Sequence, residues 1–304
     1  MPANTLRGVY AAAVTPLTAD LEPDLKAFVG HCRWRMDNGC DGKAPLGTTG
    51  EANSFSGDQK LRILEALALS GLPVAKMIVG TGACALADTV SLTRRARAMG
   101  FGGVLVIPPF FYKNPSEDGL YAWYSEVIER IGDPDLPLFL YHFPQMSAVP
   151  ITIPLIARLK AKYGAVIAGL KDSSGDWNNT AAILKEFPGF GVFSGTEQYL
   201  VDNLRAGGAG CISATVNVTA PHAGKVYANW QGDVATLQAE TTEARLAIQK
   251  FPLVGALKEM KAVATGDAAW RRCMPPLTSL SREQADALIA AVRPLVAMQR
   301  ALAG

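Results

Sequence analysis

The sequence predicts an α/β fold, a (β/α)8 (TIM) barrel with a helical extension at its C-terminal end. Three observations predict it. Eight short β-rich runs recur between residues 9 and 216, most of them continuous apolar stretches, as strands of a parallel sheet covered on both faces should be. Amphipathic stretches of helical period separate them. From about residue 222 onward the pattern turns purely helical.

The strands are read at VYAAAVTP (9–16), GKAPLGT (42–48), KMIVGTG (76–82), GGVLVIPP (102–109), LPLFLYHF (136–143), AVIAGLK (165–171), GVFSG (191–195) and GCISATV (210–216). Among the intervening helices, DQKLRILEALALS (58–70) carries a clear apolar stripe. ADTVSLTRRARAMG (87–100) opens near Asp88 and stops at Gly100. SEDGLYAWYSEVIERIG (116–132) has Ser116 as its N-cap and Gly132 as its stop. The second strand holds Pro45, and a closed barrel has no edge at which to hide a missing N–H, so a local irregularity is expected there. The tail supplies helices at 234–249, 253–264 and 282–302. The chain divides accordingly into a catalytic barrel, 1–221, and C-terminal helices packed on it, 222–304, comprising the last barrel helix and the extension.

The 304 residues are 49% hydrophobic, enough for a large core, and the net charge of +2 comes with no basic stripe that would suit nucleic acid or an anionic membrane. No apolar run reaches transmembrane length, since the best one is broken by Lys76. The first residues show no secretory signal. Five scattered cysteines without CxxC spacing read as reduced thiols of a cytoplasmic protein. The three histidines, His31, His142 and His222, share no metal-like spacing with carboxylates, and neither a metal nor an organic cofactor is expected.

In such a barrel, catalytic groups stand at the C-terminal ends of strands. Those ends read LGTTGE (46–51), YHFP (141–144), LKDSSG (170–175), SGTEQ (194–198) and ISATVN (212–217). Together they offer one lysine, one phenol and adjacent threonine hydroxyls, a set that suits Schiff-base chemistry. Lys171, buried among apolar strands, would lose its proton readily and attack a ketone. Tyr141 can shuttle protons during carbinolamine formation and dehydration. Thr48 and Thr49, with neighbouring N–H groups, can hold a 2-oxo acid carboxylate. Each piece also has an ordinary reading, as rim charge, packed aromatic or tight turn. Asp172 and Glu51 read as solvated loop or helix-start charges, and Gly207-Gly208, which precedes a strand, reads as structural.

Taken together, GTTGE, the Tyr-x-x-Pro of YHFP and GLKDSSGD resemble the signature segments of the dihydrodipicolinate synthase / N-acetylneuraminate lyase family of pyruvate-dependent class I aldolases. The likeness runs from VTPL (14–17) through GTG (80–82) and PPFFYKNPS (108–116) to MPPLTSLS (274–281), nearly the whole chain. The resemblance implies that Lys171 forms the imine and that Tyr141 relays protons. It also implies that Thr48 and Thr49 hold the pyruvate carboxylate, with Thr48 passing protons, and that Ile212 lines the pyruvyl pocket with its backbone. Glu197 and Gln198 would contact hydroxyls of a substrate tail. A relay tyrosine borrowed from a neighbouring subunit would correspond to Tyr112 or to Phe111. A homotetramer or homodimer is implied. Where dihydrodipicolinate synthases carry an arginine after Tyr-x-x-Pro, this chain has Gln145 and Met146, which argues against that enzyme's dicarboxylic adduct.

The sequence therefore points to a lyase that joins pyruvate to an aldehyde, or cleaves a 2-oxo acid to pyruvate and aldehyde. The alternatives are a dehydratase of a 2-oxo-3-deoxy sugar acid using the same imine, a non-catalytic 2-oxo acid sensor and, more remotely, a phosphate-binding isomerase barrel.

Overall fold

The computed structural model describes residues 6–295 and Met298. Eight parallel strands form one sheet: β1 (Gly8–Ala12), β2 (Gly42–Ala44), β3 (Ile78–Gly80), β4 (Gly103–Val106), β5 (Leu138–His142), β6 (Ile167–Asp172), β7 (Gly191–Ser194) and β8 (Gly210–Ser213). Their order is β2-β1-β8-β7-β6-β5-β4-β3. The ring closes between β2 and β3 through a single Lys43–Met77 bridge and the Gly80 N–H, which donates to the Pro45 carbonyl at 2.9 Å. The seam is weak where Pro45 was expected to disturb it: β2 stops at Ala44, since the next residue has no N–H to offer. Every strand is shorter than the run expected for it; β1 begins one residue earlier, at Gly8, and β6 ends one residue later, at Asp172.

Helices alternate with the strands: α1 (Leu25–Asp37), α2 (Gly57–Ala68), α3 (Leu86–Ala98), α4 (Glu117–Ile131), a single turn α5 (Pro144–Ser147), α6 (Ile153–Tyr163), α7 (Trp177–Glu186), α8 (Leu200–Arg205) and α9 (Val216–Asn229). Capping explains several boundaries. Ser116 accepts the Gly119 N–H at 3.1 Å at the start of α4, and Gly132 ends that helix at φ 68°. Ser56 and Gln59 form a reciprocal capping box at the start of α2. The expected boundary at 221/222 falls inside α9, which runs directly out of the β8 loop.

Alternation along each strand sorts the core. On β5, Leu138 and Leu140 join the layer between sheet and helices, whereas Phe139 and Tyr141 point into the barrel beside Tyr10, Phe193 and Ile212. Beyond α9 come α10 (Ala235–Ile248), α11 (Leu253–Thr265) and α12 (Arg282–Val292). They pack a separate core, including Leu257, Met260, Trp270 and Leu288, over Val14 and Ala214 just past the ends of β1 and β8. The extension therefore sits where the strand ends open. The helix expected over 282–302 ends at Val292, two residues before Pro294; residues 296–297 and 299–304 lie outside the described ones. The (β/α)8 barrel with C-terminal helices is the architecture the chain forms.

On the barrel's flank α11 meets α1 and β2 through cations. Lys261 Nζ lies 5.7 Å from the Trp34 ring centroid and 5.3 Å from that of Trp270, and the Arg35 guanidinium stacks 3.8 Å over Trp34. Burial, and then the charges of Arg35 and Lys43, pull Lys261 down to about 8. Burial likewise lowers Lys43, and brings Arg35 down to about 10. His31, buried beside the same three cations, is held well below the usual imidazole range, while its Nε2 meets Asn217 Oδ1 at 2.9 Å.

Candidate active site

Lys171 and Tyr141 are register partners on adjacent strands, so both side chains point into the barrel mouth from the same level. Lys171 Nζ donates to Tyr141 Oη at 3.2 Å and stands 4.3 Å from the ring centroid. Tyr141 Oη is in turn 3.3 Å from Thr48 Oγ1. Lys171 and Tyr141 are each only 4% exposed, so this chain of polar atoms runs along the floor of a deep recess. Phe143 stacks on Tyr141 with ring centroids 5.8 Å apart and screens it from solvent.

Thr48 and Thr49 come from the loop after β2, whose shape is fixed from both sides. Leu46 and Glu51 bracket it in the left-handed region at φ 57° and 59°, a costly conformation for residues with a Cβ. Gly50 allows the close approach to β1: a Cβ there would lie 2.7 Å from the Ala13 carbonyl oxygen. The Glu51 carboxylate, far from being solvated, is buried. It pairs with Lys258 on α11 and accepts the Met274 N–H at 2.6 Å. The extension thereby clamps the loop. Neither the hydroxyl nor the N–H of Thr49, which faces the recess, has a partner among the described residues.

The recess is a cavity of about 440 Å³. Its floor is Lys171, Tyr141, Thr48 and Thr49, with Ser173, Gly195 and Ala214 from the ends of β6, β7 and β8. Its mouth comes from elsewhere. Phe143 and Met146 contribute from the β5 side, whereas Arg245 of α10, residues 252–255 at the start of α11 and residues 276–278 come from the extension.

Residues 5–294 match the model of the Dihydrodipicolinate synthetase family. The chain belongs to that family. A relative from Chloroflexus aurantiacus, called an uncharacterized DapA-like lyase, is 35% identical over 96% of this chain and 97% of its own. A 4-hydroxy-tetrahydrodipicolinate synthase from Thiobacillus denitrificans is 30% identical over 95% of this chain and 97% of its own. The crystal structure of dihydrodipicolinate synthase from Agrobacterium tumefaciens superposes with a TM-score of 0.89 at 30% identity, covering 95% of this chain and 99% of that one. The family is one of lyases, and this protein is placed among them.

Within this family member, the residues singled out from sequence divide into two groups. Lys171, Tyr141, Thr48 and Thr49 converge. The Ile212 side chain lies in the barrel interior and Ala214 stands at the cavity wall, so the part expected of Ile212 falls to its backbone alone. Glu197 and Gln198 are likewise not among the cavity walls. Glu197 is fully buried, and its carboxylate accepts hydrogen bonds from Ser213, from Thr215 at 2.5 Å and from Thr219 at 2.9 Å. Asp172, read as solvated, is buried on the outer face of β6, accepting from Ser174 N, Asn179 Nδ2 and Thr180 Oγ1 at 2.8–2.9 Å. Phe111 and Tyr112, in the loop after β4, are 71% and 79% exposed and reach no part of this chain's own cavity. Gln145 turns away to the Ser174 carbonyl, and Met146 occupies the rim. Arg245 was missed, because an arginine on an amphipathic helix ordinarily reads as a solvated face.

Proposed function

We propose that the protein is a Schiff-base class I aldolase/lyase that joins pyruvate to an aldehyde, or releases it from a 2-oxo acid, through an imine on Lys171. The observation that carries this reading is the Lys171–Tyr141–Thr48 chain, at 3.2 and 3.3 Å, on the floor of the cavity. The neutral amine attacks the 2-oxo carbon to give a carbinolamine, and Tyr141 gives its phenolic proton to the carbinolamine hydroxyl, which leaves as water. The resulting iminium accepts the electron pair released when the Tyr141 phenolate takes a C3 proton, giving an enamine and restoring the phenol. C3 of the enamine then attacks the aldehyde carbon, and hydrolysis frees Lys171; cleavage is the reverse. Thr49, with its unpartnered hydroxyl and N–H, holds the 2-oxo acid carboxylate beside Thr48.

Borohydride reduction in the presence of pyruvate, followed by peptide mass analysis, tests this. The Lys171 peptide should carry a reduced pyruvyl adduct, and its absence would sink the mechanism. Product analysis separates an aldolase from a dehydratase, because only the former yields pyruvate plus aldehyde. A sensor would bind 2-oxo acids without turnover. The acceptor should differ from that of the synthases, since Gln145 and Met146 stand where their arginine is expected. The setting is proposed to be cytoplasmic and the assembly a homotetramer or homodimer. The exposed Phe111–Tyr112 pair supports the assembly, and sedimentation of Tyr112→Ala tests it.

A further inference from the structure

Away from the cavity, on the flank where α11 meets α1 and β2, three cations are buried together with no acid to balance them. Lys43 of β2 is fully buried, Arg35 of α1 is 1% exposed and Lys261 of α11 is 7% exposed. Two indoles hold them in place: the Arg35 guanidinium lies against Trp34, and Lys261 Nζ sits near both Trp34 and Trp270. The acids on or against α11 are already committed, Glu259 to Arg271 and Glu51 to Lys258. Among the described residues, Lys43 Nζ and the Nε and Nη1 of Arg35 have no oxygen or nitrogen acceptor, although all three atoms are shielded from water. The groups beside Lys43 are the Cys32 and Cys40 thiols, and a thiol sulfur is a weak acceptor. Burial pushes the Cys32 thiol up to about 12, so it supplies no negative charge. His31 is no counter-ion either. Its Nε2–H donates to Asn217 Oδ1, because the Asn217 amide nitrogen is spent on the Ala12 and Ala214 carbonyls, and the remaining Nδ1 is a neutral lone pair.

We propose that Lys43, Arg35 and Lys261 together bind one compact monovalent anion of halide size. Ordered water could satisfy the orphaned N–H groups, but it leaves the buried charge uncompensated. Arg35, even lowered to about 10, keeps its proton at neutral pH and cannot escape that cost by neutralising. A small ion suits the cluster better than a tetrahedral oxyanion, because these side chains are covered almost completely and a dianion costs more to strip of water. Lys261, the most exposed of the three, stands at the entry. Bound there, the anion ties α11 to β2, the strand that runs into the Thr48–Thr49 loop, and so adds a second fastening beside the Glu51–Lys258 pair.

The test is urea unfolding of the full chain at neutral pH and constant ionic strength, with potassium chloride exchanged for potassium methanesulfonate, whose anion is too bulky for the site. A dissociation constant of about 10 mM raises the folding constant about tenfold at about 100 mM chloride. That rise is expected in the wild type and should be absent in Arg35→Met. Salts also act on any fold through exclusion from its surface, so the quantity read is the wild-type response minus that of the variant. Lys261→Met should be more stable than the wild type in methanesulfonate, having lost an unpaired charge, and chloride should narrow that gap. Bromide soaked into crystals should give an anomalous peak within hydrogen-bonding reach of Lys43 Nζ and Arg35 Nε. Equal responses of the wild type and both variants to chloride, or no bromide at the cluster, would overturn the proposal. A response to sulfate larger than that to chloride, read as the same difference, would overturn the halide-sized ion.

Discussion

The floor and the mouth of the cavity are built by different parts of the chain and by different rules. The floor consists of side chains from β5 and β6 and the β2 loop, placed by strand register. Tyr141 and Lys171 are Cα partners, so the backbone ladder that holds the barrel also sets their 3.2 Å contact. The mouth consists of residues from α10, α11 and the 276–278 loop, which meet the barrel through the core over Val14 and Ala214 and through the Glu51–Lys258 pair. On the proposed reading, bond chemistry belongs to the strand-end floor and substrate choice to the loops and helices that frame it.

The sharpest way to break this contrast is to remove the amine. Lys171→Ala should lower turnover by at least about 10³-fold and abolish borohydride trapping, since no other lysine reaches the cavity wall among the described residues. Retained trapping at another residue would mean the floor is not where the chemistry lies. The next largest effect should come from the clamp between the two regions. Glu51→Gln strands Lys258, which is fully buried, and should cost about 3–5 kcal/mol in urea unfolding. The double variant Glu51→Gln/Lys258→Met should recover much of that loss. If Glu51→Gln unfolds like the wild type, the extension does not hold the loop through this pair.

The same contrast explains what the sequence could disclose. The barrel was legible because its strands are unbroken apolar runs, and the floor because its residues sit at strand ends within short motifs. Ile212 was expected to line the pocket with its backbone; its side chain, one residue before the end of β8, lies in the barrel interior. Glu197 was read as a substrate contact because its partners, Ser213 at the end of β8 and Thr215 and Thr219 beyond it, lie across a whole α-helix in the chain. The hydroxyl spacing in SATVNVT is the signal that was available for them. Nothing local marks Arg245, whose place at the cavity mouth depends on where α10 packs.

Within the floor, the contrast sharpens at the phenol. Tyr141→Phe keeps the stacked ring beside Phe143 but deletes the hydroxyl that joins Lys171 to Thr48. Turnover should fall about 10²-fold, the low end of what a positioned proton relay contributes. Stopped-flow trapping with pyruvate should show slower imine formation at unchanged stability. Equal rates would assign the relay to Thr48 alone.

The smallest expected effect compares two lysines on one helix. Lys258 and Lys261 are three residues apart on α11 and both buried, yet one meets a carboxylate and the other meets cations. Lys261 faces Arg35 of α1 and Lys43 of β2, with neutral His31 beside them, and is lowered to about 8. A base depressed in the folded state binds fewer protons there than when unfolded. Stability should therefore be lowest below pH 8, where both states carry the charge, and should rise between about 8 and the ordinary lysine value near 10.5. Lys261→Met removes the penalty while keeping the chain's packing against Trp34 and Trp270, and should gain about 2 kcal/mol at pH 7. The gain should be smaller at pH 10 and vanish above about 10.5, where the wild-type lysine is neutral in both states. Urea unfolding of both proteins at the two pH values checks the sign, and a gain that grows with pH would show that Lys261 is stabilised by its site, as Lys258 is.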